Sequence, residues 1–478
     1  MEASSQRTVL IAGAGVGGLT LANSLAMRGI TFRVIDPLQE PVRDSRAHGF
    51  GNRTLLALDK LGLVEPMLAA AQQPPPVLRE YFGRTLVGKY DLGAVPRDPY
   101  PTMLAIFQQR VVRVLEAALI ARGYQVEWST RLVSFEMDDA GVAATIDRGG
   151  SKDTIRAGWI VGCEGSRSVV RATLGLDDPE AARPEARSFL RGLLCECDAD
   201  WKLSRDIWWI WQSMDGFCGA IYNDFTDKWH IQALDLEGYE PTLERVELLL
   251  RRRSGISGVR LTNAAWVHWG SFSKHAATHF IKGRAALVGD AAHTFSSVAG
   301  QGLHFAIEDA VNLGWKLALA VQGAASASLL ETYESERRER YENALERTRW
   351  TERFLTLPAW AAKTFWASLY FIRAQVPFYF RNRHQAGRAA EDDVSRKSTL
   401  AAGFHANDAQ NSRWHARAGR IVPHRRQVEA CQLPLSAGDA DWLRCPLLTR
   451  GHAPLGQCKQ LGGRSGKANP SSTVGQQG

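Results

Sequence analysis

The stretch Val9-Leu10-Ile11-Ala12-Gly13-Ala14-Gly15-Val16-Gly17-Gly18-Leu19 decides how the rest of the chain is read. Its first four residues are an apolar run of the length of a buried strand. Leu19, Ala22, Leu25 and Ala26 then recur at helical spacing up to Gly29, and Phe32-Arg33-Val34-Ile35 forms a second strand closed by Asp36. That is one βαβ unit, and the glycines divide its labour. Gly13 permits the tight turn, Gly15 lets backbone approach a pyrophosphate, and Gly18 lets helix pack on strand. Ala14 and Gly17 complete a loop that aims the helix N-terminus at phosphates. Asp36, 23 residues after Gly13, is placed to accept hydrogen bonds from ribose hydroxyls. The module by itself suits FAD and NAD alike.

Further along the chain, three segments repeat the theme of glycine at a strand end. Gly162-Cys163-Glu164-Gly165-Ser166-Arg167 follows one strand, Gly289-Asp290-Ala291-Ala292-His293 follows another, and Gly300-Gln301-Gly302 opens a helix at Leu303. Asp290 at a strand end can hold a ribityl or ribose hydroxyl, although an acid there also suits a helix N-cap. Gly300 and Gly302 leave backbone N–H groups free to meet a flat ligand. The helix from Leu303 points its positive end the same way, which favours negative charge on a reduced flavin.

Taken in order with Ser45-Arg46-Ala47-His48-Gly49-Phe50, Arg53-Thr54 and Gln108, these segments resemble the single-component FAD monooxygenases of the aromatic hydroxylase family, in its phenol and polyketide hydroxylase branch. The resemblance runs from about Val9 to Arg340. It implies an α/β fold in which a Rossmann-type FAD-binding domain is interleaved with an antiparallel β-sheet substrate domain. It places Gly13, Ala14, Gly15, Gly17, Gly18, Asp36, Arg46, Gln108, Asp290, Gly300, Gly302 and Leu303 around FAD, with Arg46 beside a mobile flavin ring. With no second GxGxxG in the chain, NAD(P)H is expected as a transient co-substrate over the flavin. The implied reaction hydroxylates a hydrophobic aromatic or polyketide-like molecule of secondary metabolism with O2, through a C4a-hydroperoxyflavin. Two departures stand out: Glu164-Gly165 replaces the usual Asp-Gly, and Ser296-Ser297-Val298-Ala299 replaces a proline- and glycine-bearing loop.

The expected organisation follows. The first part of the FAD-binding domain covers 1–180, including strands over Gln125–Trp128, Arg131–Met137, Val142–Asp147 and Thr154–Val161, and a helix over Thr54–Leu61. A substrate-binding β-layer covers 181–280, the last part of the FAD-binding domain 281–340, a helical cover 341–385, and a basic, shortened C-terminal region 386–478. Seven tryptophans fall between Trp201 and Trp269. Alternation puts Trp209 and Trp211 on one strand face, where they would line an aromatic pocket or serve as core. Arg191 and Tyr222 are candidates to orient a phenol or carbonyl oxygen, as catalytic or as structural residues. His268 and His293 are left open.

Composition limits the alternatives. The 478 residues are 45% hydrophobic and 23% charged, which is ordinary globular usage and more than one domain's length. The seven cysteines include no CxxC and the histidines are dispersed, so no metal site or disulfide scaffold is expected. That cysteine usage leads to the expectation of a reducing, cytoplasmic setting, and no signal peptide is evident in the short, polar Met1–Arg7. The apolar stretch Leu355–Phe380 carries Lys363, Arg373 and two prolines, so no stable membrane insertion is expected. The net charge of +8 resides in the tail: Arg381–Gly478 has 15 Lys and Arg against 7 Asp and Glu. A nucleic-acid or membrane-surface binder acting through that tail is one competing class, which leaves the flavin segments unexplained. A flavin-dependent halogenase is another. Trp209-Ile210-Trp211 keeps the two indoles of its W-x-W-x-I-P motif but not the Ile-Pro, and Lys60 and Lys89 lack supporting context. No nucleic-acid partner is expected, and the oligomeric state is left open. Ala418–His424 resembles the junction to a C-terminal domain that is far longer in that branch.

Overall fold

The computed structural model describes residues 8–355, apart from 95–98, 102, 180–186, 214–215, 236, 238–239, 274, 296–299 and 327. The basic tail, the Ala418–His424 junction and the part of the expected helical cover after Leu355 lie outside the described residues. The helices are α1 (Val16–Ala26), α2 (Asn52–Asp59), α3 (Val64–Ala70), α4 (Gln108–Ala121), α5 (Val169–Thr173), α6 (Leu243–Ser254), α7 (Gly302–Val321) and α8 (Ser328–Leu355). None of them is long and apolar enough to cross a membrane.

The opening apolar run forms the centre of a six-stranded sheet. Its order is Ile281–Lys282, Ala285–Leu287, Trp159–Gly162, Thr8–Ala12, Thr31–Ile35 and Val126–Glu127, parallel except at the 281/285 edge. Val9, Leu10 and Ile11 are fully buried, as expected for a parallel strand covered on both faces. α1 packs against α4 and α7. The α1–α7 crossing is tight: a Cβ on Gly314 would lie 2.2 Å from Ser24 Oγ.

The expected strand Thr154–Val161 is two strands. Ser151–Ala157 closes a three-stranded meander with Arg131–Met137 and Val142–Arg148, whereas Trp159–Gly162 enters the parallel sheet. Gly158 between them donates its N–H to Thr8 O at 2.8 Å and turns the chain from one sheet to the other. α2 starts at Asn52, two residues before the expected Thr54.

A seven-stranded sheet forms the second layer, ordered 260–273, 187–200, 228–234, 216–223, 207–213, 77–82 and 85–91. Its pairs are antiparallel except 207–213 with 77–82. The hairpin Val77–Phe82/Thr85–Asp91, turning at Gly83 with φ +58°, joins a layer otherwise drawn from residues after 186. The two faces of this sheet have different partners. Trp209, Trp211, Tyr222, Trp229, Ile231, Cys195 and Cys197 pack with Val246, Leu249 and Leu250 of α6. Trp208 and Ile221 face the other way, onto Phe107.

Candidate active site

The four glycines of the first loop do not all do the same physical work. Gly13 has φ +101°, and a Cβ there would sit 2.4 Å from Cys163 O. A Cβ on Gly18 would lie 1.9 Å from Gly13 O, so neither position admits a side chain. Gly15 is the opposite case: a Cβ there would meet nothing within 4 Å. Its glycine is required by nothing inside the protein, which is the property expected where a ligand's backbone contact comes from outside. Gly17 is intermediate, 3.0 Å from Val288 Cγ1 by the same measure.

Asp36 is placed at the loop as expected, but its described hydrogen bonds are to backbone. Ala14 N–H donates to Oδ2 at 2.8 Å and Leu38 N–H to Oδ1 at 2.9 Å. The carboxylate thus braces the glycine loop against the second strand. Each oxygen keeps a further lone pair for a ribose hydroxyl. Glu164, the longer acid in the second segment, turns inward: Oε2 accepts from Ser168 Oγ at 2.8 Å and Oε1 from Val170 N–H at 3.1 Å. Burial raises its carboxyl above the ordinary value. It supports the start of α5.

The loop 45–49 is tied to the start of α4. Gln108 N–H donates to Ala47 O at 2.9 Å and to Ser45 Oγ at 3.1 Å, and Arg46 N–H reaches Gln108 Oε1 at 3.4 Å. The Arg46 side chain is exposed, and its charge acts on Asp290. Sequence positions 46, 108 and 290 therefore converge.

Asp290 sits on a 3₁₀ turn, Gly289–Ala291, after the strand Ala285–Leu287. Its side chain is open to solvent, yet enough protein surrounds it that desolvation raises the carboxyl, with His293 and Arg46 opposing. That combination marks the wall of a concavity. A Cβ on Gly302, the first residue of α7, would lie 3.7 Å from Asp290 Oδ1, so the acid stands beside that helix N-terminus. The capping alternative is not what the turn uses: its N-cap is Val288, without a side-chain hydrogen bond. Gly300, with φ +59°, and Leu303 flank the same helix start.

Behind Asp290 lies a network that sequence reasoning missed. Asp309 is fully buried within α7; its Oδ2 bonds His293 Nε2 at 2.8 Å and accepts Gly289 N–H at 3.0 Å. Its Oδ1 accepts from Arg337 Nε of α8 at 2.5 Å. Burial would raise this carboxyl, but His293 and Arg337 outweigh it and hold it down at about 2. His293, left open from sequence, is thus a support for the Gly289–Asp290 turn. The only signal for Asp309 was the pair of acids, Glu308-Asp309, inside the otherwise apolar run Ala306-Ile307-Glu308-Asp309-Ala310-Val311.

In the substrate layer the packing favours the core alternative for the tryptophans and the structural one for Tyr222. Trp209 and Trp211 do share a face, stacked at 5.9 Å and 8°, but that face is core against α6. Tyr222 shares it. Its hydroxyl donates to Asp227 Oδ1 and accepts from Arg205 Nη1 at 2.7 Å, and burial pushes it up to about 12. It is committed to those partners, away from the loop 45–49. Arg191 lies on strand 187–200 opposite Ser271, and its side chain is outside the described residues. The face toward the loop instead carries Trp208 and His230, with His48 5.1 Å and 5.4 Å from their rings. His268 stands beside them, with Nε2 3.3 Å from Asp44 Oδ2. Asn223 joins this face to α4, its Nδ2 donating to Glu196 Oε1 at 2.8 Å and to Gln109 Oε1 at 3.3 Å.

The residues present fit FAD. An open Gly15, an acid in a concavity beside a helix N-terminus, and converging Arg46 and Gln108 suit its pyrophosphate, ribityl chain and ring system. Comparison with known proteins agrees. The family described as FAD binding domain matches residues 6–348. A flavin-dependent monooxygenase of Mycobacteroides abscessus is 32% identical, over 69% of this chain and 71% of its own length. The 6-methylpretetramide 4-monooxygenase of Streptomyces rimosus is 33% identical, over 69% of this chain; this chain spans 58% of it. Among solved structures, an anhydrotetracycline hydroxylase from Streptomyces rimosus superposes with TM-score 0.63 and 26% identity, covering 80% of this chain and 75% of that one. A ternary complex of aklavinone-11 hydroxylase with FAD and aklavinone gives 0.63 and 26%, covering 71% and 67%. The chain belongs to the FAD-binding family of flavin-dependent monooxygenases.

Proposed function

We propose that the protein uses NAD(P)H and O2 to hydroxylate an aromatic or polyketide-like hydrophobic small molecule, in the cytoplasm. The single observation that carries this reading is the meeting of the two layers. The loop 45–49 belongs to the flavin cradle through Gln108 and touches the aromatic sheet face through His48. A flat electron-rich molecule lying on that face would border the place assigned to the flavin ring.

The residues divide the work as follows. Gly13, Ala14, Gly15, Gly17 and Gly18 with the α1 N-terminus would hold the pyrophosphate, and Asp36 the ribose. Asp290 would hold a ribityl hydroxyl, while Gly300, Gly302 and Leu303 present the α7 N-terminus to the ring. When bound, FAD supplies the redox chemistry, accepting hydride from NAD(P)H and activating O2 for transfer of one oxygen atom. Arg46, always charged, would steady the ring or pair with a coenzyme phosphate. Trp208, Trp266 and Phe107 exclude water from the side where substrate lies. The relatives' printed activities on 6-methylpretetramide and pentachlorophenol support a phenolic or polyketide substrate.

The test is spectroscopic. Purified protein is expected to show flavin absorbance, to consume NAD(P)H, and to release less peroxide when a true substrate is added. Protein without flavin, or peroxide yield unmoved by every phenol and polyketide tried, overturns the reading.

A further inference from the structure

The sheet face beside the loop 45–49 holds a group of unpaired polar atoms. Among the described residues, His48 Nδ1, both ring nitrogens of His230, and Trp266 Nε1 are buried without a hydrogen-bond partner. They belong to one cluster: His48 and His230 are 5.4 Å apart, His230 and Trp266 5.8 Å, and Phe107 lies 6.0 Å from His230. Buried polar groups are nearly always paired, because leaving them unpaired costs free energy, so four orphans in one cluster call for a partner beyond the described residues. His230 has no exposure at all, whereas His48 and Trp266 are only partly buried. His48 and Trp266 are therefore the members of the cluster nearer the outside, and His230 lies deeper.

The charge state of the pair limits what that partner is. Burial pushes His48 down to about 4, and burial together with His48 pushes His230 down to about 3. Both rings are neutral at physiological pH, so each offers one N–H donor and one bare nitrogen acceptor. Two carboxylates flank them. Glu196 Oε1 is 3.9 Å from His230 Nδ1, too far for a hydrogen bond, and Asp44 reaches His268. A substrate hydroxyl can donate to a bare imidazole nitrogen at no charge cost. A substrate carboxylate would meet two neutral rings and two like charges.

We propose that His48, backed by His230, reads a neutral hydroxyl on the aromatic substrate and so sets a preference for phenols and enols over aromatic carboxylates. The inference rests on the proposed function, since it takes this sheet face as the substrate wall. His48 is the contacting residue; His230 acts through it as a positioning residue.

The experiment uses the full-length, flavin-loaded protein and three probes of one shape: 1-naphthol, naphthalene and 1-naphthoate. Binding is read by calorimetry and by quenching of tryptophan fluorescence, with Trp208→Phe and Trp266→Phe variants identifying the part of the signal that comes from the cluster. Expected is binding of 1-naphthol at least tenfold tighter than of naphthalene and of 1-naphthoate. His48→Phe should bring the naphthol-to-naphthalene ratio close to one, and His48→Gln, which keeps an acceptor, should restore most of it. A wild-type ratio near one, naphthoate binding as tightly as naphthol, or an unchanged ratio in folded His48→Phe overturns the inference. Flavin content and NAD(P)H consumption separate the two failures. Protein lacking both sinks the hydroxylase reading itself, whereas a working flavoprotein without hydroxyl preference sinks only the histidine pair.

Discussion

The loops proposed to cradle the flavin and the sheet proposed to face the substrate are built on opposite logics. The cradle is a backbone device: a Cβ on Gly13 or Gly18 would fall 2.4 or 1.9 Å from a backbone oxygen, and among the described residues Asp36 bonds to amides. The sheet is a side-chain device, in which alternation sends Trp209, Tyr222 and Trp229 to α6 and Trp208 and His230 toward the loop 45–49. The first is specified by where side chains are forbidden, the second by which way they point. A cradle of that kind is constant across ligands sharing a pyrophosphate, while the sheet can change its clientele one residue at a time.

The sharpest way to break the contrast is inside the loop itself. Gly15→Trp should leave a folded protein, since the space beside Gly15 is open, but should abolish FAD binding. Flavin absorbance per mole of protein checks this, and a folded variant with full flavin would mean that the cradle is elsewhere. Next in size is Asp309→Ala. It removes the partner of Arg337 Nε, leaving that buried guanidinium to Glu308 alone, and the acceptor of Gly289 N–H, so a loss of about 3 kcal/mol is expected in denaturant unfolding.

The sheet side is probed by acid. His48 and His230 sit at about 4 and about 3 when folded, against an ordinary 6.5 in the unfolded chain. Between pH 6.5 and about 4 the unfolded chain therefore takes up protons that the folded one refuses, and stability falls as pH falls. His275 and His304, also lowered by burial, act in the same direction. At up to about 1.4 kcal/mol per pH unit per histidine, the two cluster histidines cost about 2–4 kcal/mol on going from pH 7 to 5. His48→Phe should flatten that slope; an unchanged slope would place the proton uptake elsewhere. The smallest effect concerns the joint between the regions. Arg46→Ala should keep its flavin yet slow NAD(P)H-driven reduction about tenfold, equivalent to about 1.4 kcal/mol of barrier, in anaerobic stopped flow. Equal rates would leave Arg46 without a role in reduction.

The same contrast explains what could be read in advance. The first loop was legible residue by residue, because forbidden side chains leave glycine in the sequence. The convergence of Arg46, Gln108 and Asp290 was legible only through resemblance, since nothing local ties positions 46, 108 and 290 together. Alternation showed that Trp209 and Trp211 share a face but could not say which face. The deciding information sits 40 residues on, in the apolar stripe Val246, Leu249 and Leu250 of α6. The hairpin Val77–Asp91 escaped because its strands are nowhere deeply buried and its partner strand begins at Ile207. Asp309 and Arg337 were hidden by their helices, where charged residues ordinarily face water.

The order of strands in the parallel sheet has a consequence for how the protein comes into being. Thr8–Ala12 is made well before its partners, for it pairs with Trp159–Gly162, which in turn pairs with Ala285–Leu287. The nucleotide loop is therefore synthesised long before its neighbours exist. At roughly 5–20 residues per second, the nascent chain waits on the order of 15–60 s with a central strand exposing Val9, Leu10 and Ile11. Ribosome-associated chaperones have that interval in which to hold it, and FAD cannot be captured in a finished cradle until α7 has emerged.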